Sequence, residues 1–246
     1  MILIKLGGSI ITNKQKPLSP NLKAINNIAS KLRKLNEPII VVHGGGSFGH
    51  YWSVKYDIHT KPAKYSKKGV SLVKNSMVAL NKIILDSFLT NGLNPYCVPP
   101  TDFMHGSKVD SRKVKEISRI ANSGFTAVSY GDVIWHGAGK FYILSGDRIM
   151  GILAKILKPR LAIFVLNVDG VYSSMKTKEL LHEIKGKSVI ISRVRADVTG
   201  GMHRKIVEAS AISNSGIDVF LTNGNVPDRI VNAVRNGKFD GTVFRK

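Results

Sequence analysis

The sequence has little cysteine, few aromatic residues and few acidic residues. Its 246 residues include one cysteine, Cys97, so no disulfide can form within the chain, as is typical of an intracellular protein. No apolar run approaches the roughly 20 residues that a membrane-spanning helix requires. The opening stretch, Met1–Leu6, is too short for a signal peptide and predicts a β-strand. We therefore expect a cytoplasmic protein without a membrane partner.

Acidic residues are outnumbered by basic ones, with 16 Asp and Glu against 37 Lys and Arg and a net charge of +21. Such an excess favours anionic partners, and nucleic acid is one of them. The basic residues are dispersed, however, and aromatic residues make up only 7% of the chain. We therefore favour small anionic ligands over nucleic acid. A non-catalytic protein that binds nucleic acid or nucleotides remains the alternative from a different functional class.

Short β-branched runs alternate with longer helical patterns, which is typical of an α/β protein with a largely parallel sheet. Several of the strands are apolar almost throughout, as expected when helices cover both faces of the sheet. Neither a repeat nor a linker interrupts the pattern, so one domain is predicted over residues 1–246. Strands are predicted at Ile2–Leu6, Pro38–Val42, Asn94–Val98, Thr126–Tyr130, Leu161–Leu166, Asp218–Thr222 and Thr242–Phe244, with a small hairpin at Val133–His136 and Phe141–Leu144. Helices are predicted at Asn21–Leu35, Lys68–Thr90, Arg112–Asn122, Asp147–Leu157, His203–Ser215 and Asp228–Arg235, whereas Tyr51–Lys68 is irregular and predicts a mobile flap.

Glycine occurs together with Lys, Ser or Asp directly after several predicted strands and at helix starts. Glycine lets the backbone approach a phosphate closely, the free N–H groups of a helix start bind anions, and lysine adds positive charge. Ligands of open α/β sheets bind at the carboxyl ends of the strands, where these segments lie. Each segment alone is an ordinary turn or cap, but together they predict a polyphosphate site. The segments are Lys5–Ser9, His43–His50, Ser129–Val133 with Ser145–Asp147, Asn167–Tyr172 and Asp197–Lys205.

Two widespread nucleotide-binding motifs are excluded. Gly44, Gly46 and Gly49 have the G-x-G-x-x-G spacing of dinucleotide-binding folds. The acidic residue that should follow about 20 positions later is missing, because residues 66–69 read Ser-Lys-Lys-Gly. Gly186–Ser188 matches the end of a P-loop, but Leu181 stands where its first glycine should be. The sequence therefore predicts neither a nicotinamide-dependent dehydrogenase nor a Walker-type nucleotidase.

The order of the motifs resembles the amino acid kinase superfamily along the whole chain. The motifs are K-L-G-G-S, H-G-G-G-S-F-G-H, S-Y-G-D, S-G-D, V-D-G-V-Y and T-G-G-M-x-x-K. Within the superfamily, the chain is most similar to the archaeal-type isopentenyl phosphate kinases, because the histidine that ends the second motif, His50, separates this branch from the carboxylate kinases. The resemblance implies a three-layer αβα sandwich around a mostly parallel sheet, a homodimer, and phosphoryl transfer from ATP with Mg²⁺ and without a phosphoenzyme. It also implies that the N-terminal part binds the acceptor and the C-terminal part binds the nucleotide.

The resemblance assigns roles to matching positions. Lys5, Lys14 and His50 would be catalytic, and Lys14 would stabilise charge on the transferring group. The acceptor's phosphate would be bound by Gly45, His50 and Gly131. The nucleotide and its Mg²⁺-bound phosphates would be held by Lys5, Leu6, Gly7, Gly8, Ser9, Gly46, Asp147, Asn167, Asp169, Gly201 and Lys205, with no side chain assigned as a metal ligand. In one departure, the family commonly has Thr-Asp before V-D-G, where this chain has Leu166-Asn167, so a role there that needs a carboxylate is lost.

The acceptor implied by the resemblance is isopentenyl phosphate. A phosphate monoester is already nucleophilic near neutral pH, so its phosphorylation needs alignment and positive charge and no general base. A candidate site rich in Lys, Gly and His suits this chemistry, and His50 could donate a charge-assisted hydrogen bond to the acceptor. The other acceptor classes are a fosfomycin-type phosphonate, glutamate or carbamate, and uridylate, of which the carboxylates have least use for His50. The stripe formed by Val70, Val73, Met77, Leu80 and Ile84 predicts core packing, with a wall for the apolar tail as the alternative.

Overall fold

The computed structural model describes residues 1–13, 15–174, 179–185 and 200–245. The strands are β1 (Ile2–Leu6), β2 (Ile39–His43), β3 (Pro95–Cys97), β4 (Met104–His105), β5 (Lys108–Val109), β6 (Thr126–Tyr130), β7 (Asp132–Gly137), β8 (Lys140–Leu144), β9 (Leu161–Leu166), β10 (Glu183–Lys185), β11 (Asp218–Asn223) and β12 (Thr242–Arg245). The helices are α1 (Gly8–Ile11), α2 (Leu22–Leu32), α3 (Gly46–Lys55), α4 (Lys67–Thr90), α5 (Ser111–Asn122), α6 (Gly146–Leu157), α7 (Gly200–Asn214) and α8 (Asp228–Asn236). Among these helices none is long and apolar enough to cross a membrane.

One eight-stranded sheet has the order β10-β12-β11-β9-β1-β2-β6-β3. Strand β1 lies at its centre and pairs in parallel with β2 on one side and with β9 on the other. Of the described pairings in this sheet, that of β11 with β12 is antiparallel and the others are parallel. This arrangement confirms the mostly parallel sheet. The strands β4 and β5, and β7 and β8, form two separate hairpins.

Helices cover both faces of the sheet. Successive side chains of each strand point to opposite sides, so the apolar strands present apolar side chains to both faces. In β1, Ile2, Ile4 and Leu6 face one apolar cluster, which also contains side chains of α1, α2, α3, α4 and α8. Leu3 faces a second cluster, formed with α5, α6 and α7. The three-layer αβα sandwich is therefore confirmed. The stripe on α4 from Val70 to Ile84 is buried in the first cluster, as the core interpretation predicted.

All of the predicted strands and helices are present, with small differences at their ends. The largest are at the end of α2, predicted at Leu35 and observed at Leu32, and at the start of α7, predicted at His203 and observed at Gly200. The prediction of an irregular segment over residues 51–68 is wrong at both ends, since α3 continues to Lys55 and α4 begins at Lys67. Between these helices, the Ala63 N–H donates to the Phe141 carbonyl and the Phe141 N–H donates back to Ala63, which attaches the segment to β8.

Candidate active site

The carboxyl ends of the central parallel strands lie side by side. The last residue of β1, Leu6, is level with His43 of β2 and with Val165 of β9, and His43 is level with Tyr130 of β6. The glycine-containing segments that follow β1, β2 and β6, and Asn167 after β9, therefore emerge at the same edge of the sheet. The structure brings the sequence motifs together in this way, and the roles of their residues stay predictions.

The turns after β1 and β2 contact each other through their backbones. A Cβ atom on Gly8 would lie 2.4 Å from the Gly46 nitrogen, so any side chain at position 8 would collide with the backbone of the second turn. Gly46 has a φ of +47°, and a Cβ there would lie 2.1 Å from Thr12 Oγ1. Thr12 Oγ1 also accepts a hydrogen bond of 2.9 Å from the Ser47 N–H. Both glycines are thus required by close packing.

Helix starts at this contact leave backbone donors unused. Gly8 and Ser9 are the first residues of α1, and Gly46 is the first residue of α3, so their N–H groups have no partner within the helix. Within the described part of the chain, no other protein group accepts a hydrogen bond from these N–H groups. Gly7 differs, because its N–H donates to the Val165 carbonyl at 2.9 Å. Free N–H groups at helix starts are suited to bind an anion.

Three charged side chains from distant parts of the chain converge next to the glycine turns. Lys5 Nζ lies 2.8 Å from Asp147 Oδ1, and Lys205 Nζ lies 3.6 Å from Asp147 Oδ2. The Lys5 side chain is 3% exposed, and Asp147 is 12% exposed. Gly146 makes room for the lysine, since a Cβ at position 146 would lie 2.6 Å from Lys5 Cε. One buried carboxylate therefore lies between two ammonium groups, and the cluster keeps an excess of positive charge.

The electrostatics of this cluster follow from burial and from its neighbours. Burial alone would raise the pKa of the Asp147 carboxyl, but the charges of Lys5 and Lys205 outweigh it and lower the pKa below its usual value. Burial lowers the pKa of the Lys205 ammonium, and the nearby charge of Lys5 lowers it further against the opposing effect of Asp147. The cluster would therefore be stabilised by an additional negative charge, such as a phosphate.

Beside the cluster, His43 is fully buried and has a structural environment. Its Nδ1 lies 3.1 Å from the Gly44 carbonyl, and its Nε2 lies 3.2 Å from Asn81 Oδ1. Burial lowers the pKa of this imidazole to about 4, so it is neutral near pH 7. The His43 carbonyl accepts the Gly131 N–H at 3.0 Å. Gly131, a predicted contact of the acceptor phosphate, therefore has no free N–H to donate, and it is buried with backbone of Leu144 and Gly146 packed against its Cα.

His50 lies on α3, one helical turn after Gly46, and it is exposed to solvent. Under the same helix start, the Met77 sulfur of α4 is placed so that a Cβ on Gly45 would lie 3.1 Å from it. A Cβ on Gly49 would lie 3.0 Å from the same sulfur. The segment predicted to bind the acceptor thus has a solvent-facing histidine on one helix face and Met77, from the middle of the apolar α4 stripe, beneath its glycines.

An open cleft of about 500 Å³ lies between the loop after α1 and the end of β9. The predicted residues Ser9 and Asn167 line it together, and Ser9 Oγ donates to Asn167 Oδ1 at 2.9 Å. The amide that replaces the family's carboxylate therefore accepts a hydrogen bond from the first glycine turn. The remaining lining residues are Thr12, Asn13, Gln15, Ser19, Pro20 and Asn21. The predicted catalytic Lys14 lies outside the described residues.

The other predicted nucleotide contacts are placed less centrally. Gly201 is exposed in the first turn of α7, and its carbonyl accepts a hydrogen bond of 3.2 Å from Lys205 Nζ. Asp169 forms an ion pair with Arg229 and accepts a 3.3 Å hydrogen bond from Asn223. The hydrogen bond from Arg229 is the main reason that the pKa of Asp169 is lowered. Asp169 is thus held by its neighbours on β11 and α8, and its described contacts do not include the Lys5–Asp147–Lys205 cluster.

Sequence reasoning gave no role to Thr12 or to Asp132. Thr12 joins the two glycine turns, but a single threonine in a loop gives no signal in the sequence. Asp132 belongs to the motif S-Y-G-D, and its fully buried carboxylate pairs with Lys74 of α4. Burial raises the pKa of Asp132 in spite of the opposing effect of Lys74. A buried acid directly after Gly131 could have been suspected from its place in the motif.

Comparison with known proteins agrees with this arrangement. The model of the Amino acid kinase family matches residues 1–223. The isopentenyl phosphate kinase of Thermoplasma acidophilum is 34% identical over 253 residues, covering 100% of both chains. That of Methanothermobacter thermautotrophicus is 28% identical over 261 residues, covering 98% of both. The crystal structure of the T. acidophilum isopentenyl phosphate kinase product complex matches with a TM-score of 0.84 and 32% identity, and covers 100% of both chains.

Proposed function

The chain belongs to the amino acid kinase family, and from this premise we propose that it transfers the γ-phosphoryl group of ATP to isopentenyl phosphate. The products are ADP and isopentenyl diphosphate. The observation that carries the proposal is the convergence of Lys5, Asp147 and Lys205 beside two glycine turns at one sheet edge. Similarity to isopentenyl phosphate kinases over the full length of the chain supports the choice of acceptor.

The residues at this edge fit a nucleotide's phosphates. Lys5 and Lys205 supply positive charge that Asp147 only partly neutralises, and the N–H groups of Gly8 and Gly46 are free to donate. Among the described residues no three His, Cys, Asp or Glu side chains are grouped closely enough to hold a metal. Mg²⁺ would be held mainly by the nucleotide's phosphates, where it would neutralise developing charge. The proposed nucleotide contacts are Lys5, Leu6, Gly7, Gly8, Ser9, Gly46, Asp147, Asn167, Asp169, Gly201 and Lys205.

The reaction is an in-line displacement that needs no covalent enzyme intermediate. An oxygen of the acceptor's phosphate forms a bond to the γ-phosphorus, and the bond from that phosphorus to the β,γ-bridging oxygen breaks. The electron pair of the broken bond stays on ADP. Because the attacking phosphate oxygen carries no proton near neutral pH, no general base is needed. Lys5 and Lys205, together with Lys14, would lower the barrier by neutralising charge on the oxygens and holding the reactants in line.

We assign the acceptor to the start of α3. Gly45 and His50 would contact its phosphate, with His50 donating a hydrogen bond from the exposed face of the helix. Gly131 would support the site through its N–H, which is bonded to the His43 carbonyl just before the second glycine turn. A phosphate bound at Gly45 would place an attached apolar tail near Met77, the member of the α4 stripe that reaches Gly45 and Gly49.

The proposal extends to the architecture: a single domain whose N-terminal part binds the acceptor and whose C-terminal part binds the nucleotide, assembled as a homodimer. What supports the dimer is the sheet edge at β3. There Tyr96 and Phe125 are 47% and 45% exposed, and their rings contact edge to face with centroids 5.9 Å apart. This exposed pair, with Tyr96 on the edge strand β3 and Phe125 just before β6, is apolar surface that a second copy could cover.

The proposed function is tested by measuring which acceptor the chain phosphorylates with ATP. The purified chain would be incubated with ATP and Mg²⁺ and with isopentenyl phosphate, fosfomycin, UMP or glutamate, while ADP release is followed in a coupled assay. We expect kcat/KM to be highest for isopentenyl phosphate. Faster turnover of any of the other three would assign the chain to that acceptor class, and absence of turnover with all four would favour the non-catalytic alternative.

A further inference from the structure

A second charged contact joins α6 and α7 next to the one formed by Asp147 and Lys205. Arg148 Nη1 of α6 lies 3.9 Å from Glu208 Oε1 of α7. The two helices carry their charges in opposite order. In α6 the acid Asp147 precedes the base Arg148, and in α7 the base Lys205 precedes the acid Glu208. The Glu208 side chain is 19% exposed and Arg148 is 66% exposed. The acid is therefore the enclosed member of this pair.

Gly151 provides the space in which the Glu208 carboxylate lies. A Cβ atom at position 151 would be 2.6 Å from Glu208 Oε2, closer than real side chains approach each other. Position 151 is in the interior of α6, where glycine is an unfavourable residue for a helix. The packing of Glu208 against the helix backbone is a physical reason for a glycine there.

The position of α7 decides where the Lys205 ammonium lies, because Glu208 follows Lys205 by about one turn of the same helix. Shifting α7 along α6 would separate Lys205 from Asp147 and Glu208 from Arg148 at the same time. The carboxylate, packed on Gly151, opposes such a shift sterically, and its 3.9 Å contact with the exposed Arg148 adds a weak electrostatic attraction.

We propose that Glu208, packed on Gly151 and paired with Arg148, is a positioning residue that holds Lys205 at the nucleotide phosphates. Glu208 itself contacts neither substrate. The proposal rests on the proposed function for the assignment of Lys205 to the nucleotide. It does not depend on which acceptor is phosphorylated.

The test measures the affinity for ADP with Mg²⁺ by isothermal titration calorimetry. Glu208→Ala removes the carboxylate, and Gly151→Ala displaces it while leaving its chemistry intact. We expect each to raise the Kd for ADP about tenfold, because a displaced Lys205 would lose most of its charge-assisted hydrogen bond to the phosphates. Because both changes act through one contact, the double variant should bind no more weakly than Glu208→Ala alone. Glu208→Gln keeps the shape of the side chain and should restore most of the affinity.

Glu116→Ala is the control, since it removes a glutamate from an exposed ion pair with Lys113 within α5, and it should leave the Kd for ADP unchanged. Circular dichroism and thermal unfolding establish whether each variant is folded. If Gly151→Ala does not fold, the comparison of Glu208→Ala with Glu208→Gln still tests the proposal. Unchanged affinity in folded Glu208→Ala, or additive effects in the double variant, would overturn the proposal. If the wild-type chain binds ADP but does not phosphorylate isopentenyl phosphate, the acceptor assignment fails and the positioning role stands. If the wild-type chain binds no ADP, both fail.

Discussion

Lys5 and Asp147 are 142 positions apart in the sequence, and they form a buried ion pair with 2.8 Å between Nζ and Oδ1. The pair joins the central strand β1 to the start of α6. Lys205 completes the group from α7, on the same face of the sheet. A single carboxylate thus holds two lysines at the edge where the glycine turns meet.

Removing the shared carboxylate should destabilise the fold. Asp147→Asn leaves two enclosed ammonium groups without their counter-charge, and we expect a loss of about 3 kcal/mol in the free energy of unfolding at pH 7. Because the pKa of Asp147 is lowered in the folded chain, its contribution is present above the carboxyl's unfolded pKa and is lost as the pH falls through the folded pKa. Urea unfolding should therefore give a difference between the two proteins that narrows in acid. Equal stability at pH 7 would show that the cluster does not depend on the carboxylate.

Replacing the exposed histidine of α3 should affect the acceptor and leave the fold intact. His50→Ala removes a charge-assisted hydrogen bond worth about 1.5–3 kcal/mol, so kcat/KM for isopentenyl phosphate should fall roughly 10- to 100-fold. The KM for ATP and the thermal unfolding temperature should stay at their wild-type values. His182→Ala, at an exposed histidine of the loop before β10, is the matched control. If both variants lost activity to the same extent, His50 would have no specific role in binding the acceptor.

The contact between the glycine turns should tolerate no side chain. In Gly8→Ala the new methyl group would meet backbone of the second turn, so we expect the free energy of unfolding to fall by about 1–3 kcal/mol. Gly201→Ala is the control. A Cβ at that position meets nothing within 4 Å, so this change should not lower the free energy of unfolding. Denaturant unfolding of both variants measures the difference. Equal stability of Gly8→Ala and the wild type would show that the two turns can move apart freely.

His43 should make the stability of the chain depend on pH. The folded imidazole has a pKa of about 4, whereas an unfolded histidine takes up its proton near pH 6.5. Protons therefore favour the unfolded state between these values, so the stability from His43 is complete above pH 6.5 and is lost as the pH falls towards 4. The loss amounts to about 3 kcal/mol. In His43→Gln the free energy of unfolding, measured with urea, should change less over this interval than in the wild type.

The elements of the fold could be predicted from the sequence because the hydrophobic pattern gives them directly. The strands β1 and β9 are apolar in every residue except Lys5, and α4 carries its apolar stripe at helical spacing. The edge at which the glycine segments meet follows from the parallel order of the strands. The antiparallel direction of β12 has no counterpart in the sequence, because a short apolar run does not specify the direction of its pairing.

The main error concerns α3, which was predicted as a glycine turn and an irregular flap. Glycine is a poor helix former. Because Gly46 and Gly49 lie in α3 and Gly45 precedes it, helix propensity does not predict this helix. Its start is held by tertiary contacts: the Ser47 N–H donates to Thr12 Oγ1, and the backbone of Gly46 packs on Gly8. Contacts of this kind join residues far apart in the sequence and cannot be deduced from local pattern.

Within the site, the sequence supplied the participating segments but not their geometry. Lys5, Asp147 and Lys205 were each assigned to the nucleotide through the family resemblance, and nothing in their spacing indicates that one carboxylate touches both lysines. The hydrogen bond that occupies the Gly131 N–H was likewise hidden, since it depends on β2 and β6 being level at His43 and Tyr130. Distances between segments are fixed by packing of the whole sheet.

Phosphorus NMR of the complete reaction tests the central claim most directly. The chain would be mixed with ATP, Mg²⁺ and isopentenyl phosphate, and the spectra followed over time. We expect the monoester signal to be replaced by two mutually coupled signals of a diphosphate ester, which grow in step with ADP. Conversion of ATP to ADP and inorganic phosphate with the monoester signal unchanged would contradict it.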